Sequence, residues 1–219
     1  MGEASQSFWH RFPAQGFPAP ANYTAFNHTL WSFGRYIASE LNQGQVLTIS
    51  QITRQFDVST SVAREVCRAM QSRDMLSTLS GVGSTVAHWG DWNLWDPFVM
   101  HLRSDGPQRG AQFHELLVLR DAIDAQAAAA PRTEAEVADL RLAESEVMLA
   151  RRRDRREEVA AADHFFHRLL RETCGNRLLQ QLSERIEGTL TLYDPEIICS
   201  ALADRKPRSC HGALVNQLR

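Results

Sequence analysis

Asp163 and His167, within the run Asp163-His164-Phe165-Phe166-His167, have the types and spacing to hold a divalent metal ion. Four residues apart on a helix, they project from one face. Val159, Phe166 and Leu170 surround them, so both polar groups point toward an interior. A carboxylate and an imidazole one turn apart suit zinc or a similar cation. A hydrogen bond along the helix satisfies the same pair, and spacing alone leaves both readings open. His164 points elsewhere and is not counted as a ligand.

Arg120 is the second residue of chemical interest. It falls on the apolar stripe of Phe113, Leu116, Ile123 and Ala127. A guanidinium facing a core needs a carboxylate or an anionic ligand, because an unpaired buried charge costs roughly 3–5 kcal/mol. Asp124, one turn on, could supply the carboxylate from within the chain; a bound organic acid could supply it from outside.

The elements that carry these residues are helical. Asp96-Pro97 is a helix start, with a capping acid and proline in the first turn. A longer helix follows through Ala127. Thr133 and Glu136 form a capping-box pattern that opens another helix through Val137, Leu140 and Val147. The run Arg151-Arg152-Arg153-Asp154-Arg155-Arg156, mixed with Glu157 and Glu158, fits a solvated helix end or turn better than a nucleic-acid patch.

The N-terminal half is organised differently. Residues 1–21 carry three of the eight prolines among Phe8, Trp9, Phe12 and Phe17, with no period, and are read as a disordered arm. Phe26, Leu30, Phe33, Ile37 and Leu41 then recur as one helical face. Thr48 can cap a second helix with Ile49, Ile52 and Phe56 inward, and Ser59 a third through Val62, Val66 and Met70. Met75–Thr78 and Ser84–Ala87 are strand candidates around Ser80-Gly81-Val82-Gly83. This is the outline of a helix-turn-helix with a hairpin wing; on spacing alone, any small helical domain followed by a hairpin fits equally.

Composition sets the bounds. The 219 residues, 43% hydrophobic and 23% charged, suit two small domains of an ordinary globular protein. No apolar run reaches membrane-spanning length and no secretion signal opens the chain, which predicts a cytoplasmic protein. Cys67, Cys174, Cys199 and Cys210 lack metal-like spacing and read as reduced thiols. The net charge of −2 does not advertise a nucleic-acid partner.

The stretch from Val46 to Pro97 narrows the choice. Its segments Phe56-Asp57-Val58-Ser59, Ala63-Arg64-Glu65-Val66, Gly81-Val82-Gly83-Ser84-Thr85-Val86 and Trp92-Asn93-Leu94-Trp95-Asp96-Pro97 resemble the winged helix of the GntR family leading into a FadR-type domain. The likeness extends over nearly the whole chain after residue 25. It implies a mainly α fold: an N-terminal winged helix-turn-helix with a small β-hairpin wing over residues 22–90, and a C-terminal all-α helical bundle over 91–219 for effector binding and dimerisation. It also implies a homodimeric repressor that binds double-stranded operator DNA and answers to a small organic acid, such as a sugar acid, with no membrane partner and no enzymatic activity.

The resemblance assigns DNA contacts to Thr48, Ser59, Thr60, Arg64, Arg68 and Gly83. A helix in the major groove needs donors for guanine and phosphate near its N-terminal end, and Arg64 stands one turn in. The bland reading of Arg64 is a surface arginine paired with Glu65 or Asp57. Thr60 stands where the family usually carries arginine, and Leu79 and Gly81 occupy wing positions that are often basic. Residues 22–90 hold five arginines against four acids, a net of +1, which predicts weaker DNA binding than a typical relative.

In the C-terminal domain the resemblance assigns Arg120 to the carboxylate of the effector. The run Asp163-x-x-Phe166-His167-Arg168, followed by Gly175-Asn176, resembles the domain's metal-binding helix. His211, in Cys210-His211-Gly212-Ala213-Leu214, fits a third ligand beside Asp163 and His167. A fourth histidine is expected from one further helix. The eight residues after His211 span about 12 Å as helix, so the terminal helix is expected to be missing and the site for zinc or a similar divalent metal to be incomplete. Two alternatives stay open: a degenerate, truncated regulator with weak DNA binding, and a metal-dependent hydrolase using Asp163, His167 and His211. The hydrolase lacks a nearby general base, so no catalytic residue is assigned.

Overall fold

The computed structural model describes residues 24–79, 83–153, 156–193 and 211–218, the side chains of residues 79, 156 and 157 excepted. The expected arm over 1–21, together with Gly81, Cys199 and Cys210, lies outside the described residues. The chain forms two compact units, Met1–Gln112 and Phe113–Arg219.

The first unit opens with α1 (Ala25–Ser39), capped by the Thr24 hydroxyl, which accepts from the Asn27 N–H. Its inward face is the predicted stripe: Leu30, Phe33 and Ile37 are buried, with Phe26 and Leu41 packed partly against them. β1 (Val46–Leu47) follows, and then α2 (Ile49–Phe56). The Thr48 cap is a full capping box, since the Gln51 side chain accepts from the Thr48 N–H in return. Asp57 ends α2 in the left-handed conformation, at φ 50°. Ser59 then caps α3 (Thr60–Gln71), which buries Ala63, Val66, Cys67 and Met70 against α1 and α2.

Strands β2 (Leu76–Leu79) and β3 (Gly83–Val86) begin one residue after and one residue before the predicted strand starts. Met75 is fully buried ahead of β2, and its backbone still accepts from Ala87. The sheet is antiparallel in the order β1-β3-β2, with Val46 opposite Thr85 and Ser77 opposite the same residue. β1 is a strand that sequence spacing did not reveal. Gly83 marks where it closes in: at φ +130°, an added Cβ would stand 2.7 Å from the Leu47 carbonyl oxygen.

A 3-10 turn at Trp89–Asp91 leads to α4 (Pro97–Asp105), whose N-terminus is capped by Asp96 accepting from the Phe98 and Val99 N–H groups. Arg73, just past α3, donates from Nε to the same Asp96 carboxylate at 3.1 Å. Its guanidinium also lies 5.0 Å from the Phe98 ring centroid, and its backbone carbonyl accepts from Asn93. Phe98 in turn stacks on Trp31 of α1 at 4.5 Å.

α4 is short, and the longer helix through Phe113, Leu116, Ile123 and Ala127 follows it as a separate element. After α4 the chain turns at Gly106 and restarts as α5 (Arg109–Ala128). The second unit then contains α6 (Glu134–Arg152), α7 (Arg156–Glu172), α8 (Arg177–Leu190) and the short α9 (His211–Val215). The capping box of Thr133 and Glu136 opens α6 as expected. The arginine run falls where α6 ends at Arg152 and α7 begins at Arg156, with Arg152 and Arg153 exposed and Asp154 and Arg155 outside the described residues. Phe166 and Leu170 of α7, Leu140 and Val147 of α6, and Leu214 and Val215 of α9 share one core. Each such side chain contributes about 1.5–3 kcal/mol on burial.

Arg132 ties the ends of two of these helices together. It donates to the carbonyls of Ala127, Ala128 and Ala130 at the end of α5, to the Leu170 carbonyl near the end of α7, and to the Thr173 hydroxyl. Last-turn carbonyls have no helical partner of their own, and a guanidinium satisfies several at once.

Candidate functional site

Two surfaces carry the functional expectations, one in each unit. In the first unit, Ser59, Thr60, Arg64 and Arg68 are all exposed on the outer face of α3, opposite its buried stripe. Thr48 is exposed at the head of α2. Neither Arg64 nor Arg68 makes an ion pair among the described residues, so Arg64 is not engaged by Glu65 or Asp57. Glu65 is exposed on the same outer region and lowers its positive charge. Gly83 lies at the base of the wing, where backbone proximity to β1 already demands glycine.

In the second unit, four helices bring a charged cluster into the core. Asp163 and His167 of α7 are each 1% exposed, and His211 of α9 is 5% exposed. The Nε2 atoms of His167 and His211 are 3.1 Å apart; Asp163 Oδ1 lies 3.2 Å from His211 Nε2 and 3.6 Å from His167 Nε2. Zinc with donors at 2.0–2.2 Å in a tetrahedron spaces its ligands about 3.3–3.5 Å apart, and the three separations straddle that range. Asp163 Oδ1, facing both histidines, has no hydrogen-bond donor among the described residues. A buried oxygen without a donor beside two imidazole nitrogens suits a cation, so this trio fits the group the domain implies.

Around the trio sits a second layer of charge that sequence reasoning missed. Asp124 Oδ2 of α5 is 2.6 Å from His167 Nδ1, on the far side of the ring from Asp163. Asp124 is therefore not the partner of Arg120. Arg120 Nη1 instead donates to Asp163 Oδ2 at 3.1 Å and lies 3.9 Å from Glu187 of α8. Arg171, one turn beyond His167, is 3.3 Å from Asp124 through Nη1 and donates through Nη2 to Glu187 at 2.7 Å. Arg171 had a readable signal, since Asp163, His167 and Arg171 follow one another every four residues on α7. Glu187 had none. His164, half exposed, meets Glu187 through Nδ1 at 3.1 Å and stays apart from the trio.

The electrostatics follow from this packing. Burial alone would push the Asp163 carboxyl up, but His167 and Arg120 beside it more than reverse that and hold it well below the usual carboxylate range. Burial and Arg120 push the His167 imidazole down; Asp163 and Asp124 on its two sides outweigh them and raise it. Burial leaves His211 with a weaker hold on its proton than an ordinary histidine. The cluster therefore offers an ionised carboxylate and two imidazoles converging on one point, with Arg120 fixed by the same carboxylate. Arg120 Nε and Nη2, wholly buried, have no acceptor among the described residues.

No helix among the described residues is long and apolar enough to cross a membrane. Residues 115–219 match the FCD domain family. No curated protein matches the chain. Solved structures that do include the Streptococcus agalactiae GntR protein, 18% identical, covering 87% of this chain and 95% of that one at a TM-score of 0.37. Lar of Listeria monocytogenes, which controls expression of the agr system, is 16% identical over 90% and 97% of the two chains at 0.42. Escherichia coli McbR/YncC is 14% identical over 90% and 95% at 0.35. A three-stranded winged helix thus stands in the sequence ahead of an FCD domain over residues 115–219, the C-terminal domain of GntR/FadR-type regulators.

Proposed function

We propose that the chain is a GntR-family transcriptional regulator rather than an enzyme, a cytoplasmic, homodimeric repressor whose operator affinity is set by a small organic acid, such as a sugar acid, bound beside a divalent metal ion in the FCD domain. The carrying observation is the triangle of Asp163 Oδ1, His167 Nε2 and His211 Nε2, at 3.1–3.6 Å, beside a buried arginine with two nitrogens that have no acceptor among the described residues. Asp163, His167 and His211 hold the ion, which when bound supplies a Lewis acid for an effector oxygen. Arg120 gives the effector's carboxylate a charge-assisted contact. Asp163 also aligns Arg120, so ion and effector share one support.

On the DNA side, Ser59 and Thr60 at the head of α3 present hydroxyls and helix N–H groups to phosphate, Arg64 and Arg68 reach the groove, and Thr48 and Gly83 flank them from α2 and the wing. The effector regulates only through a preference for one arrangement of the dimer's two winged helices. The test is fluorescence anisotropy with duplexes from the chain's own promoter region over a series of salt concentrations, alongside calorimetric titration of metal-free protein with Zn2+. Sub-micromolar binding near physiological salt, weakened about 5- to 150-fold by Arg64→Ala, supports the reading. Zinc binding lost in His211→Ala supports the metal half.

The net charge of +1 over residues 22–90, with Glu65 exposed on the recognition helix, favours one alternative: a degenerate regulator that keeps the fold and binds operator weakly. Binding only in low salt, with no difference between promoter and unrelated duplexes, decides for it.

A further inference from the structure

Glu65 is an acid on the face read as DNA-binding. α3 buries Ala63, Val66, Cys67 and Met70, and its opposite face runs through Ser61, Glu65 and Arg68, all exposed, with Arg64 beside them. The helix itself does not need this carboxylate. Ser59 caps the N-terminus by accepting from the Val62 N–H, and Glu65 lies beyond the first turn, where an acid gains little from the helix dipole. Nor does a neighbour claim it. Arg68, three residues on, is within reach along the helix. Yet Glu65 makes no ion pair or side-chain hydrogen bond among the described residues, and neither do Arg64 and Arg68. Three charged ends, two donors and one acceptor, thus lie side by side on the exposed face.

In the major groove these ends have different complements. Arginine donates to N7 and O6 of guanine, whereas a carboxylate can only accept. Guanine and thymine present it with acceptors, and adenine sets its N7 acceptor beside the N6 amine. Cytosine alone offers a donor, N4, with no acceptor beside it. Phosphate repels the same carboxylate. A single acid therefore lowers affinity for DNA in general and recovers part of the loss where a cytosine amine meets it. Along the helix axis Glu65 is about 1.5 Å from Arg64 and about 4.5 Å from Arg68. Base pairs are spaced about 3.4 Å, so the cytosine falls in or next to the G·C pair that Arg64 would contact.

We propose that Glu65 is a specificity-determining residue that selects cytosine through its N4 amine, an inference that rests on the reading of α3 as the helix entering the major groove. A Glu65 that is only a solvated surface acid leaves base preference untouched when replaced.

The full chain and its Glu65→Gln and Glu65→Ala variants each select, near physiological salt, from duplexes with a randomised central stretch. Anisotropy then gives affinities for single-base variants of the enriched sites. Glutamine keeps the shape of glutamate but pairs with adenine N6 and N7, and at an exposed helical position neither substitution endangers the fold. The wild type is expected to enrich a site with one cytosine whose replacement costs about fivefold or more in affinity. E65Q is expected to move that position to adenine and E65A to leave it without preference. Both variants should bind unrelated duplexes about twofold or more tightly than the wild type. Wild-type sites with no such cytosine, or the same cytosine selected by all three proteins, overturn the inference and leave the DNA-binding reading intact. Failure of the wild type to enrich any site overturns both together.

Discussion

Asp124 Oδ2 lies 2.6 Å from Nδ1 of His167, and Arg171 holds the other oxygen of the same carboxylate at 3.3 Å. A histidine that binds a metal through Nε2 keeps its proton on Nδ1, and a carboxylate facing that proton fixes both tautomer and ring orientation. Asp124 is on this reading a positioning residue for the metal. Asp124→Ala should lower Zn2+ affinity about 10- to 100-fold, measured by competition with a chromophoric chelator. Helical circular dichroism should be retained. Affinity within twofold of wild type would remove Asp124 from the site.

Arg132 carries a prediction about stability alone. Its five donor contacts join the end of α5 to the end of α7. Hydrogen bonds to a charged group are worth about 1.5–3 kcal/mol each, though contacts that share one side chain are not additive. Arg132→Met keeps the stem and removes the donors, and should cost about 3 kcal/mol in urea denaturation. A loss below about 0.5 kcal/mol would mean that water serves those carbonyls equally well.

Much of this architecture was legible because its signals are local. The stripe of Leu30, Phe33 and Ile37, and the caps at Thr48, Ser59, Asp96 and Thr133, each depend on residues within one or two turns. β1 was not legible, because two residues have no period; it exists through pairing with β3, 39 positions away at Val46 and Thr85 in the register. Within the site, Asp163 and His167 could be found by spacing, whereas His211 needed the family resemblance. The partner of Arg120 depended on tertiary packing: Asp124 was near in sequence, but α7 supplied Asp163, and Asp124 turned to His167 instead.

Gly83 tests the wing. Its positive φ and the 2.7 Å approach of Leu47 oxygen to any added Cβ make two separate penalties. Gly83→Ala should destabilise the first unit by about 1–3 kcal/mol and reduce promoter binding in anisotropy measurements, with the zinc titration unchanged. A variant as stable as wild type would mean that β1 is free to shift.

Glu187 sets an expectation for acid stability. Burial would raise its carboxyl, but the His164 contact and the Arg120 and Arg171 charges outweigh burial and lower it from 4.5 to about 2. Because the folded value lies below the unfolded one, the stabilisation is fully present above about pH 4.5 and is lost as pH falls toward 2. The shift corresponds to roughly 3 kcal/mol. Glu187→Gln should therefore flatten the decline of the urea midpoint between pH 5 and pH 2. Parallel curves for the two proteins would contradict the assignment.

Arg73 gives the winged unit a mechanical property. By joining the end of α3 to the cap of α4 through Asp96, and lying over Phe98, which itself rests on Trp31, it ties α1, α3 and α4 to one another through a single side chain. On the proposed reading, a displacement of α4 would be felt at Arg64 and Arg68 through this contact. If the chain does bind an operator with the few positive charges of residues 22–90, a small displacement of these arginines would be enough to weaken that binding.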